Sequence, residues 1–547
     1  MKNEDNTKLI TLLQQWKKAL DDEKKYHLDL MTDVAKYLLP QFEIGLVYGF
    51  NKPSDIRTGK DCYDGAAQNY HNLLTAGMFG YSMNPGSRWL EMEAYKPGYT
   101  PSRRIRIFLD DLEEALYYEL DKSNFYTEME KAISMCAGIG TVPLSVDEDH
   151  AGEKLKYKVK HPHNIAIGGG EEGPDVEFFE EDMILKNIWK EYGEDVFTPE
   201  MKKALEENPF DKRKVTVAIY EREDWQPGYV QATKKRWASV HYLSEDNGKD
   251  GKLLRISGYD SFPHLYWRWR TDFDYTWGTS LGMDALTDII YTSKMNKTSM
   301  VQAELMGDPP WAVHESMKGK TRIKPRGMHY FRDRLHIPSA MVTGVNWIPT
   351  EKTIERKDQL LRDRYMVGFF TMLMESNRQK TAYEIAEAKS EQVAVLSPTL
   401  IIMTNYMKEV LQRTYDIADR YGRMPTAPDE MEDVGVRLRF IGPLPRARQM
   451  LQEQGLLRTL QVTGELMQTI PGMDQAADYL DKDEVMKHLY RYQSVPGKVV
   501  KEDNEVRIIR QLRARIMQEE RQAMLAQQQA QAYNNANQAP VPGAPVG

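Results

Sequence analysis

Residues 376–425 read S-N-R-Q-K-T-A-Y-E-I-A-E-A-K-S-E-Q-V-A-V-L-S-P-T-L-I-I-M-T-N-Y-M-K-E-V-L-Q-R-T-Y-D-I-A-D-R-Y-G-R-M-P, and this stretch decides the fold of the chain. A short polar loop opens directly into one long helix. Thr381 and Glu384 have the spacing of a capping box, in which each residue bonds to the backbone of the other at a helix start. Gly422 and Pro425 are typical of a helix end. The stretch contains no pattern of an active site.

An apolar stripe follows one side of the predicted helix. Its residues recur at steps of three and four, which is the spacing of one helix face; they are Val393, Leu396, Leu400, Met403, Met407 and Val410. The stripe continues past Pro398, and a proline inside a helix removes a hydrogen bond and bends the axis. We therefore expect a helix that is kinked at Pro398 and that packs within the subunit and against copies of itself.

Composition excludes several classes of protein. The chain has 547 residues, of which 41% are hydrophobic and 28% charged, with a net charge of −8. A protein that grips DNA needs a basic surface to neutralise phosphates, so the acidic balance argues against tight DNA binding, although DNA could still slide past the surface. The two cysteines indicate no disulfide framework and favour a reducing compartment. The polar start and the lack of a long apolar run predict no signal peptide and no membrane span.

The order of predicted elements is typical of an α+β protein that is mostly helical. Short β-type runs occupy residues 141–270, interrupted by a helical stretch at 181–207, and a further short strand is expected at 436–444. Helices are predicted on either side, at 7–40, 61–80, 103–138 with a break near Ser123 and Asn124, 281–306, 351–374 and 446–525. The last segment, 526–547, has no charge and is rich in Gln, Ala, Asn and Pro, so we expect it to be disordered.

No motif for catalysis or for a cofactor is present. The chain lacks G-x-x-x-x-G-K-[ST], H-E-x-x-H, C-x-x-C and G-x-S-x-G, and acidic residues that would repel phosphate follow the glycine run at 168–170. His161 and His163 could share a metal ion, but no third ligand stands near them. Cys136 lies in an apolar helical environment and is interpreted as a buried small hydrophobe. We predict no catalytic residue, no metal site and no cofactor.

Residues 263–270, P-H-L-Y-W-R-W-R, allow two interpretations. Interleaved Arg and Trp side chains could stack nucleobases. The alternation of Leu265, Trp267 and Trp269 with polar neighbours also matches a half-buried strand, and we favour the strand.

Several further segments, taken in order, carry a family resemblance. They are D-C-Y-D-G-A-A-Q-N at 61–69, P-G-S-R-W at 85–89, S-N-F-Y at 123–126, A-G-I-G-T at 137–141, Y-T-W-G-T-S-L-G-M-D-A-L-T-D-I at 275–289 and R-Y-G-R-M-P at 420–425. With residues 263–270 and 381–388, they resemble the head-to-tail connector, or portal, proteins of short-tailed (podovirus-type) bacteriophages. The resemblance extends to about residue 520. It departs from the family at L-S-P, residues 396–398, where L-G-P is expected.

The resemblance implies a portal-type subunit with named parts. They are a wing at 1–279, a first stem helix at 280–306, a clip at 307–350, a second stem helix at 351–373, a channel loop at 374–381, a long kinked wing helix with its following strand at 382–440, and a helical crown at 441–525, followed by the disordered tail. Such subunits assemble into a cyclic ring, usually of about twelve copies, at one capsid vertex.

The resemblance also implies a function and partners. Double-stranded DNA would be packaged and ejected through the ring without sequence recognition. The other expected partners are the terminase packaging motor, the major capsid and scaffolding proteins, tail adaptor or tail tube proteins, and internal core proteins at the crown, with no membrane. The protein would lie in the virion between head and tail, and in the host bacterial cytoplasm during assembly.

Two groups of polar residues are candidate contact sites under this interpretation. The channel loop would face DNA through Asn377, Arg378, Gln379 and Lys380, and the clip would dock partners through Lys318, Lys320, Arg322, Lys324 and Arg326. An ordinary interhelical loop and solvated strand positions are the alternatives. For the whole protein, the alternatives are another phage structural protein of the tail or scaffold, or a DNA-packaging enzyme such as a nuclease or ATPase.

Overall fold

The computed structural model describes most of the chain between residues 2 and 537. The gaps are 43–61, 87, 97–100, 149–153, 171–172, 226–230, 244–251, 272–274, 316–336, 338, 341–347, 376–381, 432–434, 441–456, 466–482, 484, 487–488, 491–500 and 502. The fold is α+β, as predicted, with 62% of the interpretable residues in helices. The chain divides into two compact units: residues 1–89, 118–422 and 440–448 form the first, and residues 90–117, 423–439 and 449–547 form the second.

Helices open the first unit. They are α1 (Lys2–Leu38), α2 (Ala66–Ser82) and α4 (Phe125–Ile139), and α4 follows the end of α3 (Arg103–Lys122). The break between α3 and α4 lies at Ser123 and Asn124, where the sequence predicted it. The Asn124 side chain joins this break to the strand β3 (Leu155–Val159). Its amide N–H donates to the Tyr157 carbonyl at 2.7 Å, and its oxygen accepts from the Tyr157 N–H at 2.9 Å.

A small antiparallel sheet forms the centre of the first unit. Its strand order is β3-β2-β9, where β2 is Thr141–Glu148, β3 is Leu155–Val159 and β9 is His264–Arg268. Every residue of β2 from Thr141 to Val146 is buried. Continuous burial is expected for the middle strand of a sheet that is covered on both faces.

A larger antiparallel sheet of five strands follows the order β4-β5-β6-β7-β8. The strands are β4 (Ile165–Gly170), β5 (Gly173–Ile184), β6 (Lys212–Glu221), β7 (Trp237–Leu243) and β8 (Leu253–Tyr259). One face packs on α1 through Ile10, Leu13, Phe178 and Val240. The other packs on α5 (Leu185–Tyr192) and α6 (Pro199–Glu207). The stretch 181–207 was predicted to be helical, but residues 181–184 complete β5, because they continue its pairing with β6 as far as Ile184 opposite Lys212.

The helices predicted as the stem are partly as expected. Helix α7 (Leu281–Gly307) agrees closely with the predicted 280–306, and a short ladder of β10 (Trp311–Ala312) with β11 (Ser339–Ala340) follows it in the chain. The helix predicted over 351–373 is two helices, α8 (Ile348–Arg364) and α9 (Val367–Glu375). The break between them has no proline to explain it.

Helix α10 (Ala382–Arg420) is the longest of the described helices, and it continues through Pro398 as predicted. Gly422 follows it with φ of +65°, a left-handed conformation that glycine adopts without strain. The predicted bend at Pro398 stays a prediction.

The second unit contains the ladder of β1 (Leu90–Tyr95) with β12 (Gly435–Phe440), a helical segment at 457–465, and helix α11 (Asp503–Asn537). Helix α11 corrects the prediction that disorder begins at residue 526. Ala and Gln are strong helix formers, so a segment without charge can still be helical, and the first proline after the helix is Pro540.

Candidate functional site

The start of helix α7 is firmly anchored in the first unit. Ser280 is 1% exposed, and its Oγ accepts a hydrogen bond from the Met283 N–H at 3.0 Å while donating to the Gly138 carbonyl at 2.7 Å. A Cβ on Gly282 would lie 2.4 Å from the same carbonyl, so only glycine allows this close approach of helix and backbone. The sequence W-G-T-S-L-G thus builds a helix start that cannot shift without displacing helix α4.

Ion pairs then fix α8 beside the first half of α7. The Lys357 ammonium lies 2.7 Å from the Asp288 carboxylate, and the Arg364 guanidinium lies 3.4 Å from it. Asp288 is partly buried, which strengthens these pairs relative to those on an open surface. Helix α8 is also tied to α2, because the Tyr70 hydroxyl donates to Asp358 at 2.7 Å.

The second half of α7 is different, because the described part of the chain does not bury it. Ser293 is its last buried residue. Beyond it, Val301 is 42% exposed and Met306 is 62% exposed. Further exposed apolar side chains in this part of the chain are Met300, Leu305, Trp311, Val313 and Ile337. We call this group, with Val301 and Met306, the uncovered surface. Where such side chains form one continuous patch, the patch marks a site of interaction with another molecule.

The polar candidates from the sequence lie outside the described residues. These are the predicted clip residues Lys318, Lys320, Arg322, Lys324 and Arg326, and the predicted channel-loop residues Asn377, Arg378, Gln379 and Lys380. Both assignments therefore stay predictions.

The stripe of α10 is described only in its second half, and there it packs inside the chain. Met403 is 2% exposed and Met407 is fully buried. Between them Tyr406 stacks on Trp267 of β9, with ring centroids 5.3 Å apart. This is the packing within the subunit that the stripe predicted, and the further assignment of Met403 and Met407 to ring packing stays a prediction. The side chains of Val393, Leu396, Pro398 and Leu400 lie outside the described set.

Polar contacts also hold the second half of α10 against the strands of the first unit. Arg413 is buried, and its guanidinium donates to the Val146 carbonyl at 3.1 Å and to the Ser261 hydroxyl at 3.1 Å. The hydroxyls of Tyr157 and Thr414 lie 2.7 Å apart. A buried arginine stays charged, so these acceptors are needed to compensate its lost hydration. The second half of α10 is thus a core element of the first unit.

Sequence reasoning missed a buried hydrogen bond between the two sheets. Glu177 of β5 and His264 of β9 are both buried, with the carboxylate 2.6 Å from the His264 Nδ1. Lys160 lies beside them, its ammonium 3.3 Å from the centre of the Phe179 ring. Burial lowers the pKa of Lys160 and of His264, and the Glu177 charge opposes both shifts. No local pattern could have revealed the pair, because the partners are distant in sequence.

The described residues contain no arrangement suited to metal binding. No group of three or more His, Cys, Asp and Glu residues stands close enough together there to hold an ion. His161 Nδ1 accepts from the His163 backbone N–H at 3.4 Å. Cys136 is fully buried as predicted, and burial raises the pKa of its thiol well above the usual range. None of the helices in the described part of the chain is both long enough and apolar enough to span a bilayer.

The interpretation of residues 263–270 as a half-buried strand is confirmed. Trp267 and Trp269 are buried, and Trp267 pairs across the sheet with Val142 of β2. Arg270 forms an exposed pair with Asp284 at 3.1 Å. Neither tryptophan is free to stack on a nucleobase.

Comparison with known proteins agrees with the resemblance seen in the sequence. A family model described as bacteriophage head to tail connecting protein matches residues 10–500. The portal protein of Salmonella phage epsilon15 is 22% identical over 541 residues, covering 97% of this chain and 95% of that protein. The probable portal protein of Bordetella phage BPP-1 is 22% identical over 540 residues, covering 96% and 95% respectively. The match runs through the anchored start of α7, its uncovered second half and the core junction of α10, and the chain belongs to the bacteriophage head-to-tail connecting protein family.

Proposed function

We propose that copies of this chain form a closed ring of about twelve subunits at one capsid vertex, and that double-stranded DNA is packaged and ejected through the hole of the ring. Near-full-length similarity to two phage portal proteins supports this role. It also supports a structural channel over a packaging enzyme. The protein then belongs to the virion, between head and tail, and to the bacterial cytoplasm during assembly.

The observation that carries the ring is the uncovered surface on the second half of α7 and the adjoining short strands. These apolar side chains lie in water unless another molecule covers them, and each fully buried Leu, Met or Val side chain contributes about 1.5–3 kcal/mol. A cyclic ring uses a heterologous interface that repeats by rotation, so one such surface on each subunit serves every contact. We infer that its occupant is the neighbouring copy.

The charge of the chain fits passage of DNA rather than binding. With a net charge of −8, the protein as a whole repels phosphates, so DNA meets few strong contacts that would stop its movement. Arg378 and Lys380 of the channel loop supply a small number of cations that guide the backbone without reading bases.

Docking of partners is proposed for the clip and the crown. The basic run Lys318, Lys320, Arg322, Lys324 and Arg326 would meet the terminase motor during packaging and tail adaptor or tail tube proteins afterwards. Capsid and scaffolding proteins would surround the ring, and internal core proteins would meet the crown. Similarity to portal proteins supports these roles.

Electron microscopy of the purified protein tests the ring. We expect closed rings with a central hole for the unaltered chain and for Phe210→Asp, which places a charge at an exposed aromatic residue elsewhere. Val301→Asp should abolish the rings while the chain stays folded, because the charge would be buried in the interface. A stable monomer under all assembly conditions, or rings that tolerate Val301→Asp, would contradict the proposal.

A packaging assay tests the channel loop. Replacing Arg378 and Lys380 together by Ala should alter DNA packaging or retention without loss of rings, whereas Lys408→Ala, at an exposed position on α10, should change neither. If packaging and retention are both unchanged in the double variant, the loop assignment fails. A metal-dependent nuclease assay on the unaltered chain separates the structural role from the enzyme alternative.

A further inference from the structure

Helices α8 and α9 are separated by a sharp break at Tyr365 and Met366. The Met366 N–H donates to the Asp363 carbonyl at 3.1 Å, and the Met366 carbonyl accepts from the N–H groups of Phe369 at 3.0 Å and Phe370 at 3.3 Å. Met366 has a φ of +53°. Within the described part of the chain, no other non-glycine residue has a positive φ.

Nothing in the local sequence demands this break. Residues 360–370 read L-L-R-D-R-Y-M-V-G-F-F, without a proline, and the left-handed residue is Met366 rather than the nearby Gly368. A left-handed conformation is strained for a residue with a side chain. Leu361, Tyr365 and Phe369 lie four residues apart, all buried, so one helical face continues across the break. The cause must therefore lie outside this segment.

Helix α2 supplies the cause by holding both helices. Directly after α8, the Tyr365 ring is fully buried and stands edge-on to His71, with ring centroids 6.1 Å apart. On α9, Phe370 is fully buried against Gly77, and the nearest ring carbon lies 2.2 Å from where a Cβ of Gly77 would be. Gly77 is thus a socket for the Phe370 ring, and no larger residue fits there without moving α9.

We propose that the break is a strained joint with two states. In the state seen here, α2 holds α8 and α9 as separate helices and imposes the left-handed conformation on Met366. When Phe370 leaves the Gly77 socket, α9 continues α8 as a single helix and the strain at Met366 is relieved. Helix α9 ends at Glu375, directly before the segment proposed to face DNA, so the joint sets the direction in which the chain enters that segment. Only this last consequence rests on the proposed function.

Glycine substitution tests the strain, because glycine should raise the urea midpoint of unfolding at a strained joint and lower it inside a helix. Met366→Gly should raise the urea midpoint of unfolding, since glycine adopts a positive φ without strain. Glu355→Gly, at an exposed position inside α8, should lower the midpoint, since glycine weakens a helix interior. If Met366→Gly lowers the midpoint as Glu355→Gly does, the joint is not strained and the proposal is overturned.

Filling the socket tests the second state. Gly77→Ala places a methyl group where the Phe370 ring lies, and Gly80→Ala is the matched control on α2, because a Cβ there meets open space. The readout is hydrogen exchange of a peptide containing Val367 and Gly368, whose N–H groups begin α9 and lack intrahelical partners. Joining of the helices slows their exchange in Gly77→Ala relative to both the unaltered chain and the control. Faster or unchanged exchange overturns the two-state proposal.

The two substitutions together give a further check. In the Gly77→Ala background, Met366→Gly should lower the midpoint of unfolding, because Met366 then lies inside a continuous helix; an increase would contradict the second state. If Gly77→Ala fails to fold, the single Met366→Gly variant still decides the strain. None of these readouts depends on rings or DNA, so their failure is distinguishable from failure of the proposed function.

Discussion

The second halves of helices α10 and α7 have similar apolar content and opposite surroundings. On α10, Met403 and Met407 are buried under the chain's own sheet. On α7, Val301 and Met306 lie open to water. Sequence spacing identifies an apolar stripe in a helix, but it does not tell whether the same chain or another molecule covers that stripe. This difference decides which substitutions should weaken the fold and which should weaken assembly.

The largest expected effect is on the free energy of unfolding, and it comes from a substitution in the buried half of α10. Met407→Ala should lower the free energy of unfolding by about 2–5 kcal/mol, because it leaves a cavity in a packed core. Lys408→Ala, at the exposed neighbouring position, should change it by less than about 0.5 kcal/mol. Urea denaturation measures both. Equal effects of the two substitutions would mean that the chain does not bury Met407.

The pH dependence of stability tests a second buried group, the side chain of His71. Burial lowers the pKa of His71 from 6.5 to about 4, although its contact with Ser134 opposes the shift. The folded state therefore favours the neutral ring, and the stability that this provides is present above about pH 6.5 and lost as pH falls towards 4. By linkage the loss between pH 7 and pH 5 is about 2 kcal/mol.

The measurement is the free energy of unfolding at both pH values, for the unaltered chain and for His71→Gln. The variant should lose about 2 kcal/mol less stability over this interval. Parallel pH profiles for the two proteins would show that His71 does not contribute.

A smaller effect is expected on the open side. Met306→Ala should leave the unfolding of the chain unchanged while weakening each contact between subunits by about 1–2 kcal/mol, so that rings require roughly tenfold higher protein concentration. Sedimentation over a concentration series measures this. Loss of chain stability with normal assembly would reverse the comparison, because Met306 would then be a core residue.

The last comparison concerns the point where the open helix joins the core, and its control gives the smallest expected effect. Ser280→Ala removes the N-cap of α7 and should lower the free energy of unfolding by about 1–2 kcal/mol. Thr198→Ala removes the cap of α6, where the Thr198 hydroxyl accepts from Met201 at 3.2 Å, and should lower it by about 1 kcal/mol or less. Urea denaturation ranks the two. A larger loss for Thr198→Ala would indicate that the Ser280 bond to Gly138 adds nothing.

Local signals explain which parts of the fold could be predicted from the sequence. The break at Ser123 and Asn124, the start of α7 after Ser280 and the long helix to Arg420 all depend on residues that are neighbours in the chain. The alternation of apolar and polar residues in 263–270 also correctly predicted the strand that contains Trp267.

Distant contacts explain what could not be predicted. The break at Met366 is attributed to the contacts of Tyr365 and Phe370 with α2, and the buried hydrogen bond of His264 requires Glu177 of another sheet. The burial of Met407 could not be predicted for the same reason, because it results from packing against β2 and β9, which are distant in sequence. The basic residues proposed for the clip and the channel loop remain predictions because they lie outside the described residues.

The anchored start of α7 has a mechanical consequence. From Lys294 to Gly307 the helix extends about 20 Å past its last buried residue. A force on Met306 therefore acts with leverage on the held half of the helix, which extends from Ser293 back to the contact of Gly282 with the Gly138 carbonyl. The close approach at the base of this arm requires a glycine at position 282, so one added methyl group there would change how a load at the tip reaches the rest of the molecule.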